Sequence, residues 1–259
     1  RTTLLNPDLL LIVLATTCVI AAGYIINNFY DVKKDVINKP IKTKIDSIVS
    51  QKVKLNSYFI LNFIGVLFGL LVSWRAAVFF TVYIFLIWLY SHKLKKYPLT
   101  RLISASVLAL WPFFAIFVYY KNFSTIIFTH ALFLFLVLMI KELVKDLENI
   151  KGDLAQNYLT IPIKYGEYFT RLLITIFVIF TLDPIYFLWK YPEMGMMKYY
   201  FYFTGLMFAV FLLILWKAKS KKDYVLLHNL VKVILVVGVL SLMLIDTTVI
   251  IQKLLEAGK

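Results

Sequence analysis

Long apolar runs separated by short polar segments set the pattern of this chain, and eight of them stand out: Leu9–Ile26, Ser57–Trp74, Ala76–His92, Leu102–Tyr120, Ile126–Ile140, Leu172–Trp189, Tyr199–Trp216 and Leu226–Ile245. A helix rising about 1.5 Å per residue needs about 20 residues to cross about 30 Å of hydrocarbon. Each run approaches that length and is apolar on every face, whereas a strand of a membrane barrel would alternate over about 10 residues. The pattern therefore predicts an all-α, polytopic membrane protein built as a helical bundle.

Composition agrees. Of 259 residues 61% are hydrophobic, and the mean hydropathy is +0.82. A water-soluble domain of this size could not bury that much apolar side chain, so the excess is expected to face lipid. The lone Cys18 has no intramolecular disulfide partner and reads as a small packing residue. His92, His130 and His228 have no metal-like spacing and read as structural. Arg1 stands where Met would, and the opening RTTLLNPD is polar and interrupted by Pro7, so a further helix is expected upstream. No cleavable signal-peptide pattern is present in this stretch.

A net charge of +14 would suit nucleic acid on a soluble domain, but here the cations lie in loops between spans. If the spans alternate in direction, one side receives segments 31–56, 92–101, 141–171 and 217–223, with 20 of the 28 Lys and Arg; the other receives seven, and Lys232 lies inside the last span. The positive-inside rule makes the rich side cytoplasmic, and the membrane is expected to be the cytoplasmic one. Arg1, Asp183 and Asp246 then fall on the outer side.

Two acidic motifs end apolar spans on the basic side. In the first, Asn27, Asp31 and Asp35 are four residues apart, which lines three oxygen-bearing side chains along one helical stripe. Like charges at that spacing destabilise a helix by a few tenths of a kcal/mol unless a cation lies between them, which points to a metal. In the second, Glu142, Asp146, Asn149 and Asp153 share a helical face at spacings of four, three and four. The motifs read as two halves of one site across a central cavity open to the cytoplasm. Hard oxygen ligands suit Mg²⁺, which binds through a few carboxylates plus substrate phosphate oxygens. Such a site holds a diphosphate and offsets the charge that builds on it as it leaves. The loop Ser91–Arg101 adds Lys93, Lys95, Lys96 and Arg101 as phosphate contacts, and Tyr or Phe faces can stabilise an allylic cation.

The first motif, with Asn38 and Pro40 behind it, resembles the first signature of the UbiA superfamily of intramembrane prenyltransferases; KDLENIKGD followed by Thr160-Ile-Pro162 resembles the second. The likeness covers essentially the whole chain and implies a single domain over 1–259 that lacks the first of nine helices. It implies catalytic roles for Asp31, Asp35, Asp146 and Asp153, metal ligation by Asn27, Asp31, Asp35, Asp146, Asn149 and Asp153, and diphosphate contacts from Asn27, from Lys93 or Lys95, and from Arg101. Departures are Asn149 where many relatives carry Asp, which leaves Glu142 or Glu148 to compensate, Tyr158 near an expected Gly, and Thr100-Arg101 in place of Gly-Asn. The implied activity is Mg²⁺-dependent transfer of a prenyl group from a polyprenyl diphosphate such as geranylgeranyl diphosphate. The KDLENIKGD segment favours geranylgeranylglyceryl phosphate as acceptor over an aromatic quinone precursor. Membrane terpene cyclases of the same family share both motifs, so that outcome stays open. A cation-coupled secondary transporter is the rival from another class, although transporter sites tend to lie at interrupted helices near the bilayer midplane. The partners expected are the two substrates and membrane lipid, with no nucleic acid and no obligate protein partner.

Overall fold

The computed structural model describes residues 6–120 and 124–245. The expectations placed on Arg1 and Asp246 lie outside the described residues. Among the described residues there are helices and no strands, and eight stretches are long and apolar enough to cross a membrane, each overlapping one of the eight expected runs. They form two compact units: residues 6–120 with 149–164, and residues 124–148 with 165–245.

The first unit contains α1 (Pro7–Asn38), α2 (Pro40–Asp46), α3 (Gln51–Val72), α4 (Trp74–His92), a single 3-10 turn (Leu94–Lys96), α5 (Pro98–Tyr120) and, returning from later in the chain, α7 (Ile150–Ala155). Its helices start where local chemistry dictates. Asn6 accepts a hydrogen bond from the Asp8 amide at 2.9 Å, with Pro7 in the first turn of α1. Ser73 accepts from the Ala76 amide to cap α4. Lipid is as apolar as Leu, so transmembrane helices associate through close packing of small residues rather than through hydrophobic exclusion. The α1–α3 seam follows that rule: Ala15 and Val19 are fully buried, and a Cβ added at Gly65 would stand 2.8 Å from Val19 Cγ2 and 3.3 Å from the Ala15 carbonyl oxygen. Gly65→Leu is therefore expected to push α3 away from α1 and lower the melting temperature of the detergent-solubilised protein, whereas Leu61→Ala on the same helix tests the background for loss of bulk.

The second unit contains α6 (Thr125–Glu148), α8 (Ile161–Phe180) from residue 165 onward, α9 (Leu182–Lys190), α10 (Lys198–Lys217) and α11 (Lys221–Ser241). The backbone breaks helical geometry at Gly166, whose φ of 86° is accessible to glycine without a Cβ clash. Phe133 meets Tyr200 and Phe201 edge-on in the buried layer of this unit. Arg171 ties α8 to α11, donating to the Ala218 carbonyl at 2.9 Å and to the Tyr224 hydroxyl at 2.6 Å, while that hydroxyl donates to Glu167 at 2.7 Å.

Candidate active site

Apolar patterning ends near Ile26, yet α1 runs on for three further turns to Asn38 and carries the whole first motif as rigid helix. Its buried polar stripe is Asp31, Lys34 and Asn38. A helix advances about 100° per residue, so two steps of four residues drift about 80° off a face, and positions 27, 31, 34 and 38 stay aligned where 27, 31 and 35 do not. Asp35 consequently lies at the edge of the stripe, partly exposed, and Lys34 takes the inner position.

Lys95 reaches this stripe from the turn after α4. Its ammonium is 2.7 Å from Asp31 Oδ1 and 3.1 Å from Asn27 Oδ1, and the side chain is essentially inaccessible. Lys93, the residue that ends α4, is exposed and is not brought into this cluster. Of the two lysines expected from the loop, the turn selects Lys95, because Leu94–Lys96 folds as a tight 3-10 turn that aims alternate side chains apart. Arg101, in the first turn of α5, donates from Nη1 toward the Lys95 carbonyl at 3.5 Å and stands 3.6 Å from Asp153.

The second motif does not run as one continuous helix. α6 stops at Glu148, Asn149 leaves helical geometry (φ −111°, ψ 12°), and α7 begins at Ile150. Asn149 offers its carbonyl to the Gly152 and Asp153 amides at 3.1 and 3.0 Å and also accepts from Asn38 Nδ2 at 3.2 Å. The stripe expected across 142–153 is thus cut: Glu142 and Asp146 sit in the second unit, Asn149 and Asp153 in the first. α7 is pressed onto α1 at Gly152, where a Cβ would fall 2.3 Å from Asn38 Nδ2. Gly152→Ala forces the Asn38 amide aside, which breaks its hydrogen bond to the Asn149 carbonyl and loosens the seat of α7 on α1. The expected result is a lower melting temperature of the detergent-solubilised protein, from a methyl group that touches no charge.

Asp153 is fully buried, with Oδ1 2.6 Å from Lys34 Nζ. The pair is an ion pair without hydrogen-bond alignment, and neither carboxylate oxygen receives an aligned donor. Tyr158, in the segment after α7, donates its hydroxyl to Asp31 at 3.3 Å, and its ring lies 5.7 Å from both the Lys34 and the Lys95 ammonium. Burial and the negative charge of Asp31 push the Tyr158 phenol well above its ordinary value, so it stays protonated and acts as a donor. Next to these residues a cavity of about 520 Å³ is lined by Tyr30, Lys33, Lys96, Gln156 and Tyr158 among others. Sequence reading missed Lys34 and the Tyr158 hydroxyl. Lys34 was detectable, since it falls three residues after Asp31 on the same face.

In the second unit Asp146 and Glu142 are both buried on α6, with Glu142 2.9 Å from Lys145 and 3.3 Å from Lys141. Glu148 is held by His228 at 2.8 Å.

The donor set fits a hard divalent cation at one place. Asn27 Oδ1 and Asp31 Oδ1, from successive turns of α1, converge on a single positive centre, the Lys95 ammonium. Among the described residues no three His, Cys, Asp or Glu side chains close around one point. A metal here would draw further ligands from substrate oxygens and water, as Mg²⁺ commonly does.

The chain matches the model of the UbiA prenyltransferase family over residues 2–244 and belongs to that family; with its eight apolar helices it is an integral, multi-pass membrane protein. Among curated proteins it is 31% identical to a digeranylgeranylglyceryl phosphate synthase of Methanobrevibacter smithii over 167 residues, 61% of this chain and 58% of that protein. It is 25% identical to the synthase of the same name from Sulfurisphaera tokodaii over 190 residues, 69% of this chain and 66% of that protein. The matched stretches thus span less than two thirds of these relatives. The fold is shared with a UbiA homologue of Aeropyrum pernix in its apo form, at a TM-score of 0.71, 15% identity and coverage of 92% of this chain and 90% of that one. It is shared as well with a UbiA homologue of Archaeoglobus fulgidus bound to GPP and Mg²⁺, at a TM-score of 0.68, 11% identity and coverage of 91% and 88%.

Proposed function

We propose that this chain transfers a prenyl group from a polyprenyl diphosphate to a lipid acceptor, best matched by geranylgeranylglyceryl phosphate, at the cytoplasmic face of the cytoplasmic membrane. The observation that carries the proposal is the buried charge cluster of the first unit, where Lys34, Lys95 and Arg101 surround Asp31 and Asp153 at the end of apolar helices. Three cationic side chains gathered at one place suit an anionic ligand, and an apolar tail fits the lipid-facing helices beside it. The acceptor is supported by the names of the curated relatives, and Mg²⁺ by the oxygen pair on α1 and by the ligands of the Archaeoglobus fulgidus homologue.

Asn27 and Asp31 would hold Mg²⁺, which when bound neutralises charge developing on the departing diphosphate. Lys95, Lys34 and Arg101 bind diphosphate oxygens with charge-assisted hydrogen bonds. Asp35 supplies a second, more solvated carboxylate at the rim. For Asp146 in the second unit, a ligand role rests on its place in the second motif. In the reaction the bond between the allylic carbon and the diphosphate oxygen breaks, with its electron pair leaving on the diphosphate. The acceptor hydroxyl oxygen bonds to that carbon, and its proton passes to water or to the released diphosphate. The Tyr158 phenol, held protonated, orients Asp31 and takes no proton.

The test is the purified protein with radiolabelled geranylgeranyl diphosphate, with Mg²⁺ or EDTA, and with geranylgeranylglyceryl phosphate, an aromatic quinone precursor or no acceptor. Metal-dependent product that requires the glycerophosphate lipid is the expected result. Product formed only with the aromatic acceptor would reassign the acceptor, and prenyl hydrocarbon formed without any acceptor would make the chain a cyclase.

A further inference from the structure

We propose that the cavity beside the buried charge cluster is a phosphomonoester site: Lys33 and Lys96 take the phosphate of the lipid acceptor, and Asn157 adds a neutral donor. This site rests on the prenyl-transfer reading above and deepens it, because it gives the second substrate's headgroup a seat apart from that of the diphosphate.

Charge points to it first. Lys33 on α1 and Lys96 in the Leu94–Lys96 turn line one space of about 520 Å³, within the ~300–1,000 Å³ range of small-ligand sites. Its lining includes these two cations and no acid. Neither ammonium makes an ion pair or a hydrogen bond among the described residues, in contrast to Lys34 and Lys95, which lie against Asp153 and Asp31. Two unopposed ammonium groups, brought to one cavity from separate elements, suit a doubly charged anion and keep their N–H donors for phosphate oxygens.

The walls are tied together without any ligand. Gln156 Nε2 donates to the Tyr30 carbonyl at 2.8 Å, and the Leu159 amide donates to the Lys96 carbonyl at 2.9 Å. The segment after α7 is thereby fixed to both elements that carry the lysines, which leaves little ordering cost for binding. Within it Asn157 adopts left-handed backbone geometry, φ 55°, a region that Asn tolerates better than most residues. Asn157 lines the cavity, is exposed, and has no partner for its side-chain amide among the described residues.

Position fits an acceptor. Tyr30 and Tyr158 both line the cavity, and both ring centres stand 5.7 Å from the Lys95 ammonium. These rings form the wall shared with the diphosphate cluster. An acceptor anchored by its phosphate is kept next to the prenyl diphosphate while the two anions stay on separate lysines. The chemistry recognised is a lipid with a small phosphomonoester headgroup; an aromatic quinone precursor without phosphate would leave both ammonium groups unused.

Steady-state kinetics of the purified protein test the site, with geranylgeranyl diphosphate and Mg²⁺, and with geranylgeranylglyceryl phosphate or its dephosphorylated alcohol as acceptor. Wild type is expected to prefer the phosphorylated lipid by about 100-fold or more in kcat/KM. Lys33→Gln and Lys96→Gln are each expected to raise KM for that lipid about tenfold, and the double variant about 100-fold, with KM for geranylgeranyl diphosphate within about twofold. Lys33→Arg should stay within about threefold of wild type, since it keeps the charge. Asn157→Gly, which suits the left-handed turn and removes the amide, should raise acceptor KM severalfold. Lys52→Gln, at an exposed lysine of α3 that does not line the cavity, should change nothing. Unaltered acceptor KM in the double lysine variant overturns the site. So does a wild-type preference for the phosphate below about tenfold, a measurement that needs no variant. Pyrophosphate as product inhibitor separates the two sources of phosphate. If its inhibition against geranylgeranyl diphosphate weakens about tenfold in Lys33→Gln while acceptor KM is unchanged, the cavity belongs to the leaving group and the acceptor site is overturned. Turnover with an aromatic acceptor alone overturns this site together with the acceptor reading, and no turnover with any acceptor overturns the prenyl-transfer reading itself. Turnover with the phosphorylated lipid and no response to the lysine variants overturns this site alone.

Discussion

Asp31→Asn is expected to slow diphosphate release from geranylgeranyl diphosphate by about 100- to 1,000-fold, the scale seen when one preorganised group that stabilises developing charge is removed. Several interactions of the first unit meet at Asp31: Lys95 at 2.7 Å, the Tyr158 hydroxyl at 3.3 Å, and Asn27 one turn earlier on the same Lys95 ammonium. The amide keeps the shape and an acceptor for Lys95 but loses the charge that makes a hard-cation ligand. The amide leaves the buried Lys95 ammonium without its anion, so stability is expected to fall by about 3–5 kcal/mol, and turnover is compared at a temperature where the variant is folded. Two measurements check the expectation, single-turnover release of labelled diphosphate and Mn²⁺ affinity; both should fall together. Wild-type turnover in Asp31→Asn would remove the first motif from the chemistry altogether.

Lys95→Met carries the second large effect, and its signature is a stability that depends on metal. Lys95 is 1% exposed and supplies the positive charge between Asn27 and Asp31. Met preserves much of its bulk but leaves Asp31 buried without that partner, and breaking a buried pair from one side costs about 3–5 kcal/mol. For a chain of this size that corresponds to a fall in melting temperature of about 10 °C in EDTA. Added Mg²⁺ should recover much of the loss, since a divalent ion on the same two oxygens replaces the missing charge and ligand binding to the folded state adds stability. Wild-type protein should gain less from Mg²⁺, because there the ammonium already occupies that position. The check is a thermal melt of both proteins with and without Mg²⁺; equal metal-induced shifts would show that the Asn27–Asp31 pair is not the metal site.

The hydropathy pattern alone determined the eight spans, because a lipid environment requires every backbone polar group to be satisfied within the segment, and that demand leaves a long apolar helix as the simplest solution. The helix starts after Asn6 and Ser73 were not read from the sequence, where one run was carried across Ser73 to Trp74. Asn27, Asp31, Asp153 and Arg101, with Lys95 of the two lysines offered, were named from motif spacing, loop charge and family resemblance, and the fold gathers them in one unit. Asp35 was placed too centrally, because a repeat of four residues was treated as if it were the helical period of 3.6.

Partnerships belonged to the tertiary structure. Lys95 meets Asp31 across 64 residues of sequence, and only the fold of the Leu94–Lys96 turn separates it from Lys93 two positions away. The break at Asn149 was hidden because the 142–153 spacing suits a helix; the Asn38 side chain and the close approach of Gly152 to α1 impose it from outside the segment. Tyr158, noticed in the sequence only as a departure where Gly was expected, became an Asp31 donor once α7 docked. The division has one physical cause. Hydropathy, caps and spacing act within a few residues along the chain and are written locally, whereas the pairing of buried charges is decided by which helix ends packing brings within about 3 Å, a distance over which Coulomb energies in a poorly solvated site change most steeply.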